Sequence, residues 1–274
     1  MNIGTNKPTP EEQALIPHHM LDIVDPDQFY SAGEYGRNAR VIIDSLLKRK
    51  RLPILVGGTG LYIRAVIDGI APSPPSDPNI KSDLSKQMEK RGIKALYDEL
   101  LKIDPNTAKR LHPNDRQRIL RAMEVFSLTG KRLSDFHREM PDNPGYLTAF
   151  YFINRSRSAL YNMINQRVES MFEHGLVDEV KGLAERGYTP NHPGMQGLGY
   201  GHVFDYIRRK ISFQEAKSLM KQDTRRYAKR QITWFRQEKR AAWLDVPDQG
   251  DVLDLESGID SNLGLLVKKV PSSQ

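Results

Sequence analysis

Residues Arg51-Leu-Pro-Ile-Leu-Val-Gly-Gly-Thr-Gly-Leu-Tyr62 decide the fold. Arg51–Val56 reads as a short buried strand, Gly57–Gly60 as a glycine-rich turn, and Leu61–Ile70 as a helix. A strand that runs through glycines into a helix is half of a parallel α/β unit. Upstream, Ile42–Leu47 reads as a helix with Ser31 as an available start, and His19–Val24 reads as a strand. The order strand, helix, strand, loop, helix predicts a parallel sheet over the first part of the chain.

Downstream the pattern changes. Ala71–Pro78 holds four prolines in eight residues and reads as a linker. Helices are predicted at Ser82–Lys90, Ile93–Ile103, Asn106–Leu111 and Asp115–Leu128, with breaks at Gly92, His112-Pro113 and Gly130. Pro141–Gly145 reads as a second linker and Leu147–Ile153 as a returning strand. The simplest organisation is an α/β core of residues 1–71 and 146–250, a helical insertion of residues 72–145, and a polar, frayed tail of residues 251–274. In the second part of the core, Tyr161–Arg186 reads as two helices split at Gly175. Gly194–Tyr200 is a glycine-rich turn, Gln214–Arg240 a long helix, and Trp243–Val246 a last strand.

The chain has 274 residues, 38% hydrophobic and 27% charged, enough for one large domain or two modest ones. It has no cysteine, which excludes disulfides and thiolate metal sites. No stretch approaches the roughly 18 consecutive apolar residues of a membrane span. Met1–Glu12 has no apolar targeting segment. A soluble, cytoplasmic protein without membrane contact is the expectation. Net charge is +7 and unevenly spread. Tyr206–Arg240 carries 12 Lys/Arg against Glu215, Asp223 and Glu238, a local +9, whereas the residues from Ala241 carry −4. Clustered basic charge marks a polyanion partner.

Several motifs carry possible chemistry. Gly57, Gly58 and Gly60 would let backbone N–H groups approach an anion at a helix start, with Thr59 able to cap that helix. Alone, the loop reads more readily as a tight turn without ligand. No Gly-x4-Gly-Lys-Ser/Thr occurs in the chain, so the loop is not a Walker A motif. On the long helix, at about 100° per residue, Arg225, Lys229, Arg236 and Arg240 form one stripe, flanked by Arg226 and Thr233, with Leu219, Met220, Tyr227 and Trp234 roughly opposite. That stripe suits a phosphate backbone. Asp115-Arg-Gln-Arg118 opens a helix on which Arg118 and Arg121 share a face, a pattern that alone reads as ordinary surface arginines. Arg167, beside the apolar positions of Asn165-Gln-Arg-Val168, is either snorkelling or aimed at an anion. His18 and His19 would face opposite sides of a strand and cannot easily share one ion, so no metal site is expected.

The order of these segments is more specific than any one of them. Asn2-Ile-Gly-Thr-Asn-Lys-Pro8, Pro17-His-His-Met-Leu-Asp22, Leu55-Val-Gly-Gly-Thr-Gly-Leu-Tyr62, His112-Pro-Asn-Asp with Arg118 and Arg121-Ala-Met-Glu124, Gln196-Gly-Leu-Gly-Tyr200 and Arg226–Arg236 resemble the motifs of tRNA dimethylallyltransferases (tRNA isopentenyltransferases) in order and spacing, over residues 1 to about 246. The resemblance implies an α/β fold: a P-loop-NTPase-like, nucleotide-binding (ATP-type) parallel-sheet core lacking its first strands, with a helical insertion domain that clasps the anticodon stem. It implies transfer of a dimethylallyl group from dimethylallyl diphosphate as co-substrate to N6 of the adenosine 3′ of the anticodon, with Mg²⁺ assisting. The partner would be a tRNA anticodon stem-loop and the enzyme a monomer.

The same resemblance gives residues their roles. Arg167 matches an arginine on the diphosphate, and Thr59 with Gly57, Gly58 and Gly60 would line the channel near the target base. Gln117, Arg118, Ile119, Leu120 and Arg121 match a tRNA-contacting stretch on the insertion. Lys229, Arg230, Gln231, Ile232, Thr233, Trp234, Phe235 and Arg236 match another on the core, and Gln196, Gly199 and Tyr200 a turn near the anticodon loop. Gly197 and Gly201 depart from the family's larger and basic residues. Family members place a Walker A-type loop and an Asp-Ser-x-Gln stretch, with the proposed catalytic aspartate, ahead of the point matching Met1. The expectation is a truncated chain, inactive alone, with a tRNA-binding remnant without catalysis as the second reading.

Overall fold

The computed structural model describes residues 1–139 and 145–247. The expected second linker over 141–144 and the tail beyond 247 lie outside the described residues. In chain order the helices are α1 (Pro10–Leu15), α2 (Ala32–Lys48), α3 (Gly60–Ile67), α4 (Pro78–Arg91), α5 (Ile93–Ile103), α6 (Pro105–Ala108), α7 (Arg116–Thr129) and α8 (Leu133–Arg138). Strand β1 (Phe150–Asn154) follows, then α9 (Arg157–Glu173), α10 (Leu176–Glu185), a 3₁₀ turn at Gly194–Gln196, α11 (Tyr200–Ile207), α12 (Phe213–Phe235) and β2 (Ala241–Asp245). The described residues form two compact units: residues 1–30, 55–60 and from 147 onward, and residues 31–54 with 61–146.

In the first unit β1 and β2 pair in parallel, with Phe150 opposite Ala241 and Asn154 opposite Asp245. Phe152 packs against Trp243 at 4.3 Å and against Phe235 at 5.1 Å between ring centroids, so aromatic contacts join this ribbon to the end of α12. The core comes from α9–α12, with Val168, Leu176, Val180, Val203 and Ala216 at 1% exposure or less. Helix ends follow local chemistry. Ser212 accepts from Glu215 N to start α12, and Ser156 accepts from Ala159 N to start α9.

In the second unit α4, α5, α6 and α7 enclose Leu84, Met88, Leu96, Leu100, Ala108 and Ile119. Asp77 and Asp115 cap α4 and α7, and the left-handed Gly130 ends α7. Ser31 and Glu34 form a capping box at the start of α2. Arg40 donates to the carbonyls of Ala65 at 2.7 Å and Val66 at 2.9 Å, pinning the end of α3 on α2.

The fold is helix-rich with a small parallel sheet, and two expected strands are corrected. Residues 19–24 hold Met20 at φ 65° and Asp22 at φ 51°, left-handed values that no strand tolerates. Residues 51–56 form no ladder among the described residues, and Ile54 and Val56 are 78% and 85% exposed. An apolar run becomes a strand only when neighbouring strands accept its N–H and C=O groups. The long helix is also shorter than expected. It stops at Phe235, and Arg240 lies in the turn before β2, where its Nε donates to Glu238 at 2.7 Å.

Candidate functional site

The glycine loop lies directly on the last turns of α12. A methyl group on Gly58 would overlap the amide of Gln231, and one on Gly60 would overlap the indole of Trp234. Gly57 faces open space. Two of the three glycines are therefore required by backbone-to-helix contact, which accounts for them without a ligand. The contact also brings the Gly57–Gly60 loop together with the 229–236 stretch. Thr59 is exposed beside it.

Along α12 the faces divide. Ala216, Met220, Thr224 and Phe235 are buried, whereas Lys229, Arg230, Thr233 and Arg236 are exposed. Gln231, Ile232 and Trp234 are half-buried. Phe235 is 3% exposed and belongs to the aromatic cluster under the sheet. Thr233 spends its hydroxyl on the Lys229 carbonyl at 2.9 Å. Arg230 stacks over Tyr227 at 5.6 Å. Arg225, expected on the basic stripe, turns towards α9 instead. It donates to Asn165 at 2.9 Å and lies over the Tyr161 ring at 5.8 Å.

Arg167 is exposed on α9, with no ion pair or hydrogen bond from its side chain among the described residues. Two turns-worth of sequence around it are anchored firmly. Val168 is 1% exposed, and Glu169 bridges Lys217 and Lys221 of α12. Hydrogen bonds from those two lysines hold the Glu169 carboxyl below its ordinary range.

The Gln196–Tyr200 turn is built from the inside. Gly199 has φ 92° and sits against Met220, so a side chain there is excluded twice over. Tyr200 is 1% exposed and its hydroxyl donates to Glu179 at 2.6 Å. Glu179 also accepts the backbone N–H groups of Asn2, Ile3 and Gly4, at 2.5–3.2 Å. Burial raises the Glu179 pKa, but these four donors outweigh it and hold the carboxyl below its usual value. Burial and the same carboxylate push the Tyr200 phenol up. Tyr200 is thus a structural post, whereas Gln196 is exposed. Beside the turn lies a cleft of about 210 Å³ walled by Gly197, Gly199 and Gly201, with Gln196, His202 and Asp223 as its polar side chains. His202 Nε2 is 2.9 Å from Asp223. Neither this pair nor Glu179 carries a signal readable in the sequence, since all three depend on long-range packing.

On the second unit, Gln117 and Arg118 are exposed, whereas Ile119 and Leu120 are buried at 0% and 8%. Arg121 points into its own unit. It donates to Glu124 at 2.7 Å, to Ser73 at 3.3 Å and to the Pro74 carbonyl. Glu124, 2% exposed, also accepts from Ser76 and from Asp77 N. Arg121 and Glu124 therefore fasten the proline-rich linker to α7.

Among the described residues no group of three or more His, Asp or Glu side chains could hold a metal ion. Mg²⁺ ordinarily takes one or two carboxylates together with substrate phosphates. Thr59 and Arg167 bring no carboxylate, so the residues present do not fit a resident Mg²⁺.

Comparison with known proteins places this arrangement. A model of the IPP transferase family matches residues 1–238. The tRNA dimethylallyltransferase of Geobacter sulfurreducens is 47% identical over 92% of this chain and 81% of its own length. That of Syntrophobacter fumaroxidans is 45% identical over 90% of this chain and 73% of its own. A crystal structure of the tRNA isopentenylpyrophosphate transferase of Bacillus halodurans superposes with a TM-score of 0.70 at 37% identity, covering 98% of this chain and 84% of that one. A eukaryotic dimethylallyltransferase captured acting on tRNA gives 0.78 at 26% identity, covering 99% and 71%. With its glycine loop seated on the basic helix and its family motifs matched from the first residue to 238, the chain belongs to the IPP transferase family.

Proposed function

We propose that the protein acts in the transfer of a dimethylallyl group from dimethylallyl diphosphate to N6 of the adenosine 3′ of the anticodon in cytoplasmic tRNA. In this reaction the N6–C1 bond forms as the C1–O bond to diphosphate breaks, and the N6 proton passes to a general base. The observation that carries the reading is that Gly57–Gly60 packs on Gln231 and Trp234 of α12 while the same turns of the helix leave Lys229, Arg230 and Arg236 exposed to solvent. The exposed cations suit RNA phosphates. Arg167, free of protein partners among the described residues, suits the leaving diphosphate through bidentate hydrogen bonds. Gln117, Arg118 and Gln196 are the exposed members of the other matched stretches. Ile119, Leu120, Tyr200 and Phe235 act by holding those stretches in shape. The target base must leave its stack to be reached.

The parent fold of this reading is a P-loop-like core that acts as a monomer. Mg²⁺ would arrive with the diphosphate, and no step is assigned to it. These 274 residues contain no Walker A motif, and the reading assigns them RNA binding and diphosphate contact. The second reading, a tRNA-binding chain without catalysis, rests on the same exposed residues of the matched stretches, Gln117, Arg118, Lys229, Arg230 and Arg236.

Gel retardation tests the RNA half of the proposal. An unmodified anticodon stem-loop should be retarded by the folded chain at low salt, and retardation should fade as salt rises. A folded chain that leaves the stem-loop unshifted contradicts it.

A further inference from the structure

Outside the matched tRNA stretches, the second unit has a shallow cleft of about 450 Å³ lined by Asn106, Arg110, Ser134, His137 and Arg138. Every lining side chain is polar and three are basic. Beneath it lies Asp104, 1% exposed, whose carboxylate is already spent on Thr107 N at 3.0 Å, the Thr107 hydroxyl at 2.6 Å and Ser134 N at 2.9 Å. Its charge offsets part of the positive charge of the cleft, where Arg110, His137 and Arg138 still outnumber it. Arg110 commits only its Nε, to the Asn106 carbonyl at 3.1 Å. Arg138 reaches Asp135 at 3.7 Å, an exposed pair of little strength. The buried Ser134 hydroxyl adjoins the Asp104 carboxylate and helps hold it ionised.

We propose that this cleft binds a phosphate group, with Arg110, His137 and Arg138 as its charged contacts. Arg110, in the turn after α6, and His137 and Arg138 on α8 converge beside the Asn106 amide, an arrangement that suits a phosphate oxyanion. The phosphate belongs either to an RNA backbone or to a free ion. The RNA source rests on the tRNA reading above, whereas the anion chemistry does not.

Protonation of His137 supplies the readout. Burial, then Arg110, hold its pKa below the ordinary value, and Asp104 opposes them. The other charges facing it are Arg138 and Asp135 on α8. A bound phosphate stabilises the imidazolium, so binding takes up a proton and tightens as pH falls through the His137 range.

The test is an NMR titration of the His137 ring protons in the whole chain, once with inorganic phosphate and once with an anticodon stem-loop, against chloride as control. A saturable shift and a raised His137 pKa with either phosphate source are expected. Both should be lost in Arg110→Ala, whose exposed side chain leaves the core untouched. Saturation at lower concentration with RNA assigns the site to the polymer, and Arg110→Ala should then reduce the salt slope of RNA binding by about 1. Saturation with inorganic phosphate alone assigns it to the free ion. No shift of His137 in either arm beyond that in chloride overturns the proposal, and it does so even if the stem-loop binds elsewhere on the chain.

Discussion

Arg118 and Arg121 lie three residues apart on α7 and play different parts. Arg118 has 74% of its side chain exposed and, among the described residues, pairs with Asp115 at 3.3 Å. Arg121 holds the buried Glu124 and the linker backbone. Removing Arg121 strands a buried carboxylate, so Arg121→Ala should cost about 1–3 kcal/mol of stability in urea unfolding. Arg118→Ala should stay within about 0.5 kcal/mol yet weaken stem-loop binding. Equal stability losses in the two variants contradict this division. Glu179 gives a second residue-scale expectation. Its folded pKa lies below the unfolded value, so its contribution is present above the ordinary carboxylate range and is lost as pH falls through the folded pKa. Glu179→Gln should flatten the acid limb of a stability-against-pH curve followed by circular dichroism. An unchanged limb means that another carboxylate, such as the buried and hydrogen-bonded Asp104, controls acid unfolding.

At the scale of elements, close packing of the glycine loop on α12 makes a sharp demand. Gly60→Ala forces a methyl into the Trp234 indole and should destabilise by about 1–3 kcal/mol. Gly57→Ala, with open space around it, should be near neutral; thermal melts of the two variants decide between contact and tolerance. Helix positions were legible in the sequence because their signals are local. Ile93–Ile103 lies where its apolar spacing puts it, and Gly92 and Gly130 end helices where glycine is expected. The strands at 19–24 and 51–56 were not, because β structure depends on partners that a local pattern does not contain. Within the site, the motifs located stretches but not faces. Ile119, Tyr200 and Phe235 share stretches with exposed residues, and only packing shows that they point inward. Backbone amides of residues 51–56 should accordingly exchange with solvent far faster than those in the middle of α9 and α12.

For the whole molecule, charge and fold support one reading. No described helix is long and apolar enough to cross a membrane. The excess of positive charge sits where α12 exposes Lys229, Arg230 and Arg236. Replacing these three by alanine should lower the salt slope of stem-loop binding by roughly 2–3, if each contacts a phosphate. An unchanged slope places the RNA elsewhere. The central claim of the proposal is that these residues serve dimethylallyl transfer to tRNA, working with a diphosphate loop and a general base. Mass spectrometry of an unmodified anticodon stem-loop, incubated with Mg²⁺ and dimethylallyl diphosphate, tests it directly. A chain extended upstream by a Walker A loop and an Asp-Ser-x-Gln stretch should yield the N6-dimethylallyl adduct, should lose most of that activity in Arg167→Ala, and should outperform the 274 residues alone, which should yield none. Product from the 274 residues alone, or none from the extended chain, would contradict the account.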